Sequence, residues 1–280
     1  MKNYVVKKKI YSIGLFGNPV KHSLSPLIHN IFSKEIKINY NYNLFLCTKS
    51  NFFIEIKKFF QCGGFGCNVT VPFKKLAFHA LHQYSKRAKI SNSTNTLKKS
   101  IDSNILGDNT DGIGLIYDLK RLKYIKKYSK VLLLGAGGVA HSIIYHLLKE
   151  QCSVVILNRT LDKSVDLIKK FTHFGKISVF SDRLNKYEFD ILINATSCGL
   201  YNQSPFFPKY VVTPKTICYD ISYSRTQSLT PFLLVCKNLG STNISDGFGM
   251  LVAQAAYSCL FWFGVLPDIN KTFNKLKLMF

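Results

Sequence analysis

Short apolar runs, each closed by glycine, proline or a polar pair, alternate along this chain with stretches of helical period. Val131-Leu132-Leu133-Leu134 is continuous and aliphatic, the pattern of a strand buried on both faces. Val154-Val155-Ile156-Leu157 repeats it, and Ile191-Leu192-Ile193 gives a third run. Between the first two, Val139, Ile143, Ile144 and Leu147 recur at helical spacing, which predicts a helix over 138–149. Upstream, the pattern predicts strands over 10–16, 41–47 and 66–71 and helices from Ser25, over 51–60 and over 73–81. Ser25-Pro26 reads as a helix start, with serine as cap and proline at the first helical position. Pro72 stops the third strand. Helices are predicted over 112–122, 247–263 and 269–278. Strands and helices in alternation imply an α/β fold, and 280 residues suffice for two ordinary domains.

The turn after the first aliphatic strand carries chemistry. Gly135-Ala136-Gly137-Gly138-Val139-Ala140 lies between a predicted strand and a predicted helix. Glycines there let the backbone approach a diphosphate, and the N–H groups of the new helix point at it. At the end of the next strand an acidic residue would hydrogen-bond a ribose 2′-hydroxyl. Asn158, Arg159, Thr160 and Lys163 stand there instead. A guanidinium fork and a small polar donor suit a 2′-phosphate, so the expected cofactor is NADP(H). Residues 111–245 therefore read as a Rossmann-type, doubly wound NADP-binding domain.

Composition narrows the remaining classes. With 47% hydrophobic residues the chain can bury sizeable cores. No apolar run approaches a membrane span, and the N-terminus shows no typical cleavage region for a secretory signal. The eight cysteines form no CxxC pair and the histidines no HExxH, so no metal is expected and buried thiols in a reducing cytoplasm are the plain reading. The net charge of +23 is spread along the chain rather than massed in one arm. It reads as solvated surface that favours encounter with anionic small molecules, and no nucleic-acid partner is expected. A homodimer stays open.

Three clusters before residue 112 are polar where a core has no use for polarity. In His22-Ser23-Leu24-Ser25-Pro26, two serines around a helix start suit a carboxylate, although simple capping by Ser25 explains them as well. In Asn68-Val69-Thr70-Val71-Pro72-Phe73-Lys74, Asn68 and Thr70 share a strand face and Lys74 opens the next helix; an ordinary exposed lysine is the alternative. Asp111, in Gly107-Asp108-Asn109-Thr110-Asp111-Gly112, is a catalytic candidate or a surface cap.

These pieces resemble the shikimate dehydrogenase family. GNPVKHSLSPLIHN at 17–30, GCNVTVPFK at 66–74, NTL at 95–97, GDNTDGIG at 107–114, GAGGVA at 135–140, NRT at 158–160, INATSCGL at 193–200 and DGFGMLVAQA at 246–255 fall in the family's order. The resemblance implies reversible NADPH-dependent reduction of 3-dehydroshikimate to shikimate, on the way to chorismate and the aromatic amino acids. It implies that Ser23 and Ser25 hold the substrate carboxylate and that Asn68, Thr70, Asn95 and Gln254 bind ring hydroxyls. Lys74 and Asp111 would form the catalytic pair, with Tyr223 at the substrate edge. Gly135 to Ala140 would cradle the diphosphate, Asn158, Arg159 and Thr160 the adenosine side, and Gly247 and the Ile221 stretch the nicotinamide.

There are departures from the family pattern. Lys163 replaces a frequent second arginine, so one arm of the phosphate clamp becomes a point charge. Asn92-Ser93-Thr94 replaces a small Gly-Ala-Val run, and a methionine common near the nicotinamide is missing from 220–223. A quinate/shikimate dehydrogenase accepting NAD, a basic nucleic-acid binder and a catalytically silent relative are the competing readings. Arg159, the absence of a nucleic-acid motif and the presence of Lys74 with Asp111 argue against them in turn. The expected architecture is an N-terminal α/β substrate domain, 1–110 with 246–280, interrupted by the cofactor domain at 111–245, with the ligands in a cleft between them.

The cofactor reading makes a prediction. Arg159→Ala should raise KM for NADP by about ten- to a hundredfold, the worth of a charge-assisted hydrogen bond, and leave KM for NAD nearly unchanged. Equal shifts in steady-state assays with both cofactors would show that Arg159 does not read the phosphate.

Overall fold

A computed structural model describes residues 9–81, 83–181, 188–224, 226 and 228–279; the basic stretch 1–8 lies outside it. Two compact units emerge: the chain up to Asn109 together with Ala255–Leu276, and Thr110–Gln254.

The first unit runs β1 (Tyr11–Gly17), α1 (Ser25–Glu35), β2 (Tyr40–Leu46), α2 (Phe52–Gln61), β3 (Gly64–Val69), α3 (Lys74–His79), β4 (Gln83–Tyr84), α4 (Lys86–Ser91), β5 (Thr96–Lys99) and β6 (Ile105–Asp108). Its sheet has the order β2-β1-β3-β5-β6-β4. Strand β1 pairs in parallel with β2 and β3, whereas β5 runs antiparallel to β3 and β6. That reversal sets the start of β5 beside the end of β3, with Asn68 opposite Thr96. One face of the sheet is filled by aromatic rings. Phe16 stacks on Phe45 at 4.5 Å, and Phe52 on Phe73 at the same distance. Phe73 is fully buried, so the residue that opens α3 is fixed from below by its neighbour.

The second unit begins with α5 (Asp111–Arg121) and continues β7 (Lys130–Leu134), α6 (Gly138–Lys149), β8 (Ser153–Leu157), α7 (Leu161–Phe171), β9 (Ile177–Val179), β10 (Ile191–Asn194), β11 (Ile217–Asp220), α8 (Pro231–Asn238) and β12 (Ile244–Asp246). All its strand pairs are parallel, in the order β12-β11-β10-β7-β8-β9. Read from β9, the strand order reverses between β7 and β10. This is the doubly wound arrangement, whose reversal opens a crevice at the carboxyl ends of the strands. Strands β7 and β10 are almost wholly buried, which is why each reads as an unbroken aliphatic run.

Helix α9 (Phe248–Phe263) belongs to both units, and α10 (Ile269–Lys277) follows it. The second crossing therefore falls between Gln254 and Ala255, inside a helix, and not at the 245/246 boundary expected from the sequence. The reason is local packing. Asp118 of α5 is fully buried and meets the start of α9: a Cβ on Gly249 would lie 2.0 Å from its Oδ1. Asp118 accepts from the Tyr219 hydroxyl at 2.7 Å, from Arg121 Nε at 2.8 Å and from the Met250 backbone N–H. The backbone of Gln254 likewise lies against Gly114. Beyond Ala255 the helix serves the first unit, where Trp262 Nε1 donates to the Leu97 carbonyl at 2.8 Å.

Gly249→Ala tests this packing. In an ordinary helix interior the change stabilises by about 1 kcal/mol. Here the added methyl displaces a buried, fully bonded carboxylate, so a loss of at least about 2 kcal/mol is expected in denaturant melts. A gain in stability would mean that Asp118 and α9 do not pack this closely.

Candidate active site

Every cofactor residue anticipated from the sequence lies at a carboxyl end of the second sheet. Gly135 follows β7 with φ +100°, a conformation side chains rarely adopt, and faces Ala195 and Thr196 beyond β10 at the strand reversal. Ala136 is buried, and Gly137 caps α6 without a side-chain hydrogen bond. Nothing lies within 4 Å of a Cβ built on Gly137 or Gly138, so the space above the turn is open. The first N–H groups of α6, through Val139 and Ala140, have no intrahelical partner. Open space, orphan donors and the absence of an acidic residue in the first turn fit a diphosphate. Beyond β8, Asn158 Nδ2 donates to the Thr160 carbonyl at 2.8 Å, shaping the turn. Arg159, Thr160 and Lys163 are exposed there.

The segments after β11 and β12 meet. A Cβ on Gly247 would lie 2.1 Å from the Ile221 carbonyl, and the Gly247 N–H donates to the Ser222 carbonyl at 3.1 Å. Tyr223 is half-buried with its ring centroid 6.5 Å from that of Phe248. Two carboxylates that the sequence analysis passed over hold this segment. Asp220 accepts from Ser222 N–H at 3.1 Å, Asn194 Nδ2 at 3.0 Å and Thr230 Oγ1 at 2.6 Å. Asp246 accepts from Ser224 N–H at 3.0 Å and Phe248 N–H at 3.2 Å. Burial lifts the Asp220 carboxyl to about 6, against the pull of Thr230, Ser222 and Asn194, and raises Asp246 as well.

The substrate candidates of the first unit gather where β1, β3 and β5 meet. Ser25 is not the helix cap. Leu24 takes that position, Ser25 is already helical, and its N–H donates to Ser23 Oγ at 3.2 Å. The Ser23 hydroxyl in turn donates to Ser25 Oγ at 3.1 Å. Thr70 does not continue the strand face of Asn68. Strand β3 ends at Val69, because Pro72 has no N–H to donate and Phe73 N–H turns back to the Thr70 carbonyl at 2.9 Å. Asn68 is buried, and its Nδ2 lies 3.1 Å from the Asn95 carbonyl. The Asn95 side-chain oxygen accepts from Thr96 Oγ1 at 2.8 Å. Lys74 is half-buried, and its carbonyl accepts the Thr94 N–H at 3.0 Å. The Ser93 and Thr94 hydroxyls that replace the family's small run are buried without partners.

Asp108 is also buried and is clamped by the Ser85 hydroxyl and the Arg87 guanidinium, with Arg87 Nε at 2.7 Å. Its carbonyl accepts Asn95 N–H at 3.0 Å, which ties the end of β6 to the start of β5. Two residues on, the chain enters the second unit, where buried Asp111 opens α5. Ser23, Ser25, Asn68, Thr70, Lys74 and Asn95 thus share the first unit. Asp111, Tyr223, half-buried Gln254 and the cofactor residues belong to the second.

The family model for the shikimate dehydrogenase substrate-binding domain matches residues 15–97, and that for shikimate/quinate 5-dehydrogenase matches 120–205. The chain belongs to the shikimate dehydrogenase family. It is 65% identical over 271 residues to the shikimate dehydrogenase (NADP(+)) of Buchnera aphidicola subsp. Cinara cedri, covering 97% of this chain and 96% of that protein. The Aquifex aeolicus shikimate dehydrogenase superposes with a TM-score of 0.85 at 30% identity, over 95% of this chain and 97% of the other. The Thermus thermophilus enzyme, solved with NADP(H) and shikimate, gives 0.83 at 26% identity, over 96% and 100%. These shikimate dehydrogenases match the chain across both units. Among the described residues, no group of three or more His, Cys, Asp or Glu is placed to hold a metal ion, and no helix is long and apolar enough to cross a membrane.

Asp220 gives this segment a pH signature. Its carboxyl is raised on folding, so the native state holds the proton more tightly than the unfolded chain. Stability from this group is full below about pH 4, falls as pH rises toward 6, and is level above it, a change of about 2–3 kcal/mol. Asp220→Asn should remove that slope relative to the parent in urea melts between pH 4 and 7. A constant difference between the two proteins over that range would place the titration elsewhere.

Proposed function

We propose that this chain is an NADP-dependent oxidoreductase that reversibly reduces 3-dehydroshikimate to shikimate in the synthesis of aromatic amino acids. The observation that carries the reading is Lys74, half-buried and held by buried Phe73 below and by the Thr94 N–H on its carbonyl. A lysine ammonium carried in the same unit as the hydroxyl and amide groups of Ser23, Ser25, Asn68, Thr70 and Asn95 suits a polyhydroxylated keto acid. Ser23 and Ser25 bind the carboxylate, and Asn68, Thr70, Asn95 and Gln254 the ring hydroxyls, with Tyr223 at the substrate edge.

The Gly135–Ala140 turn, Asn158, Arg159, Thr160 and Lys163 hold NADP(H), with Gly247 and Ile221 beside its nicotinamide end. When bound, that cofactor supplies the hydride. The protein's own contribution is the proton and the charge. As the ketone is reduced, electron density builds on its oxygen, and Lys74 Nζ donates a proton there. In the reverse direction neutral Lys74 accepts the alcohol proton, and Asp111 is the second acid–base group.

The partners are small molecules rather than nucleic acid, since the 38 basic residues are scattered over the chain. We place the enzyme in the cytoplasm, where its eight free thiols meet a reducing environment.

The test is absorbance of reduced nicotinamide with shikimate or quinate and NADP or NAD. Shikimate with NADP should be the best pair. Lys74→Ala should lower kcat by about 10²–10⁴ while shikimate and NADP still bind. Near-parental turnover in that variant would remove Lys74 from the chemistry, and preference for another substrate pair would overturn the assignment.

A further inference from the structure

Gly17 closes β1, and Thr70 follows the last residue of β3 on the neighbouring strand. The two segments are tied on both sides of this point. Leu15 pairs with Asn68 and Phe16 with Val69. Just beyond, Thr70 N–H donates to the Phe16 carbonyl at 2.9 Å, and Asn18 N–H donates to the Val71 carbonyl at 2.9 Å. Gly17 and Thr70 therefore face each other across a backbone that is bonded before and after them.

Gly17 is buried, and it is not one of the glycines with a positive φ. Space, rather than backbone conformation, calls for glycine here. A Cβ built at Gly17 would overlap Thr70 Cγ2 far inside contact distance, while Val20 Cγ1 and the Val71 carbonyl oxygen would stand at 3.0 and 3.2 Å. The methyl of Thr70 thus fills the place of the missing side chain.

That placement decides where the Thr70 hydroxyl points. The three substituents of a threonine Cβ sit in staggered positions, and their handedness is fixed. With Cγ2 seated against Gly17, Oγ1 has one direction left. Thr70 is half-buried, so its side chain is not sealed from a ligand. With alanine at position 17, only the hydrogen of the Thr70 Cβ could face the new methyl. The side chain would turn by one staggered step and carry its hydroxyl away. Serine has no methyl, so it could turn a hydrogen toward the alanine and keep its hydroxyl where threonine held it.

We propose that Gly17 is a positioning residue: the space it leaves seats the Thr70 methyl and so aims the Thr70 hydroxyl at the substrate. The hydroxyl is then held in one direction before the substrate arrives, which lowers the ordering cost of binding. The proposal rests on the assignment of Thr70 to a ring hydroxyl made above.

The test places Gly17→Ala in two backgrounds, the parent and Thr70→Ser, and reads KM for shikimate and for NADP in steady state. In the parent it should raise KM for shikimate about tenfold, the worth of one hydrogen bond, and leave KM for NADP unchanged. In the Thr70→Ser background the same change should cost less than about twofold, because the methyl it strikes is gone. The close approaches to Val20 and to the Val71 carbonyl are common to both backgrounds and cancel in the comparison. Equal penalties in the two backgrounds overturn the proposal, since a merely structural glycine would give them. Should the single glycine variant not fold, the double variant is compared with Thr70→Ser alone. There a penalty as large as that of Thr70→Val, which removes the hydroxyl and keeps the shape, overturns the proposal as well. If Thr70→Val leaves KM for shikimate unchanged, Thr70 does not bind the substrate, and its assignment falls together with the role of Gly17.

Discussion

Asp118 is a carboxylate with no access to water, and several parts of the second unit are built around its bonds. It sits on α5, receives Tyr219 from β11, and meets the first turn of α9 where glycine leaves room for it. A buried charge is tolerated only when its lone pairs are filled, and here Arg121 supplies the counter-charge. Because those partners come from three elements, the carboxylate fixes their relation more narrowly than apolar contact does. Gly247 directly precedes α9 and Gln254 lies in its second turn, so the placement of residues assigned to nicotinamide and substrate follows from one anion assigned to neither.

The same logic recurs at Asp220, Asp246 and Asp108. Each stands at the end of a strand, and each accepts hydrogen bonds from the backbone or side chains of the turn that follows. The loops that carry the candidate site residues are thereby held by carboxylates under them rather than by apolar cores of their own. This arrangement costs stability where burial raises the carboxyl, as at Asp220, and it yields loops with a defined shape at the rim of a sheet.

Much of this was legible in the sequence where a physical period marks it. Helix α6 falls on the expected residues 138–149, and β7 and β8 lie within a residue of the aliphatic runs that announce them. The glycine turn, the polar NRT segment and Lys74 stood out because no core requires them. Other elements carried no such mark. Strands β4, β9 and β12 are two or three residues long, too short for alternation to show. Helix α7 buries only Ser164, Leu167 and Phe171, so its apolar stripe is thin. Tyr42, Thr96 and Ser258, which hydrogen-bond the Asn68 side chain, escaped notice because those bonds depend on pairing across the sheet and across 190 residues of chain. Ser25 was misread as a cap because serine before proline favours that position, whereas here Ser23 takes over its N–H.

The discontinuity of the first unit has a bearing on how the protein is made. Trp262 covers one face of its sheet, Ser258 closes the bonds of Asn68, and Cys259 lies against His29 and Tyr40. These residues leave the ribosome only after the whole doubly wound unit has emerged. The cofactor unit, by contrast, has nearly its full set of strands in one continuous stretch ending at Gln254. The portion of the chain synthesised first is therefore the last able to complete its core, and until then it waits with an open sheet face while a finished domain forms behind it.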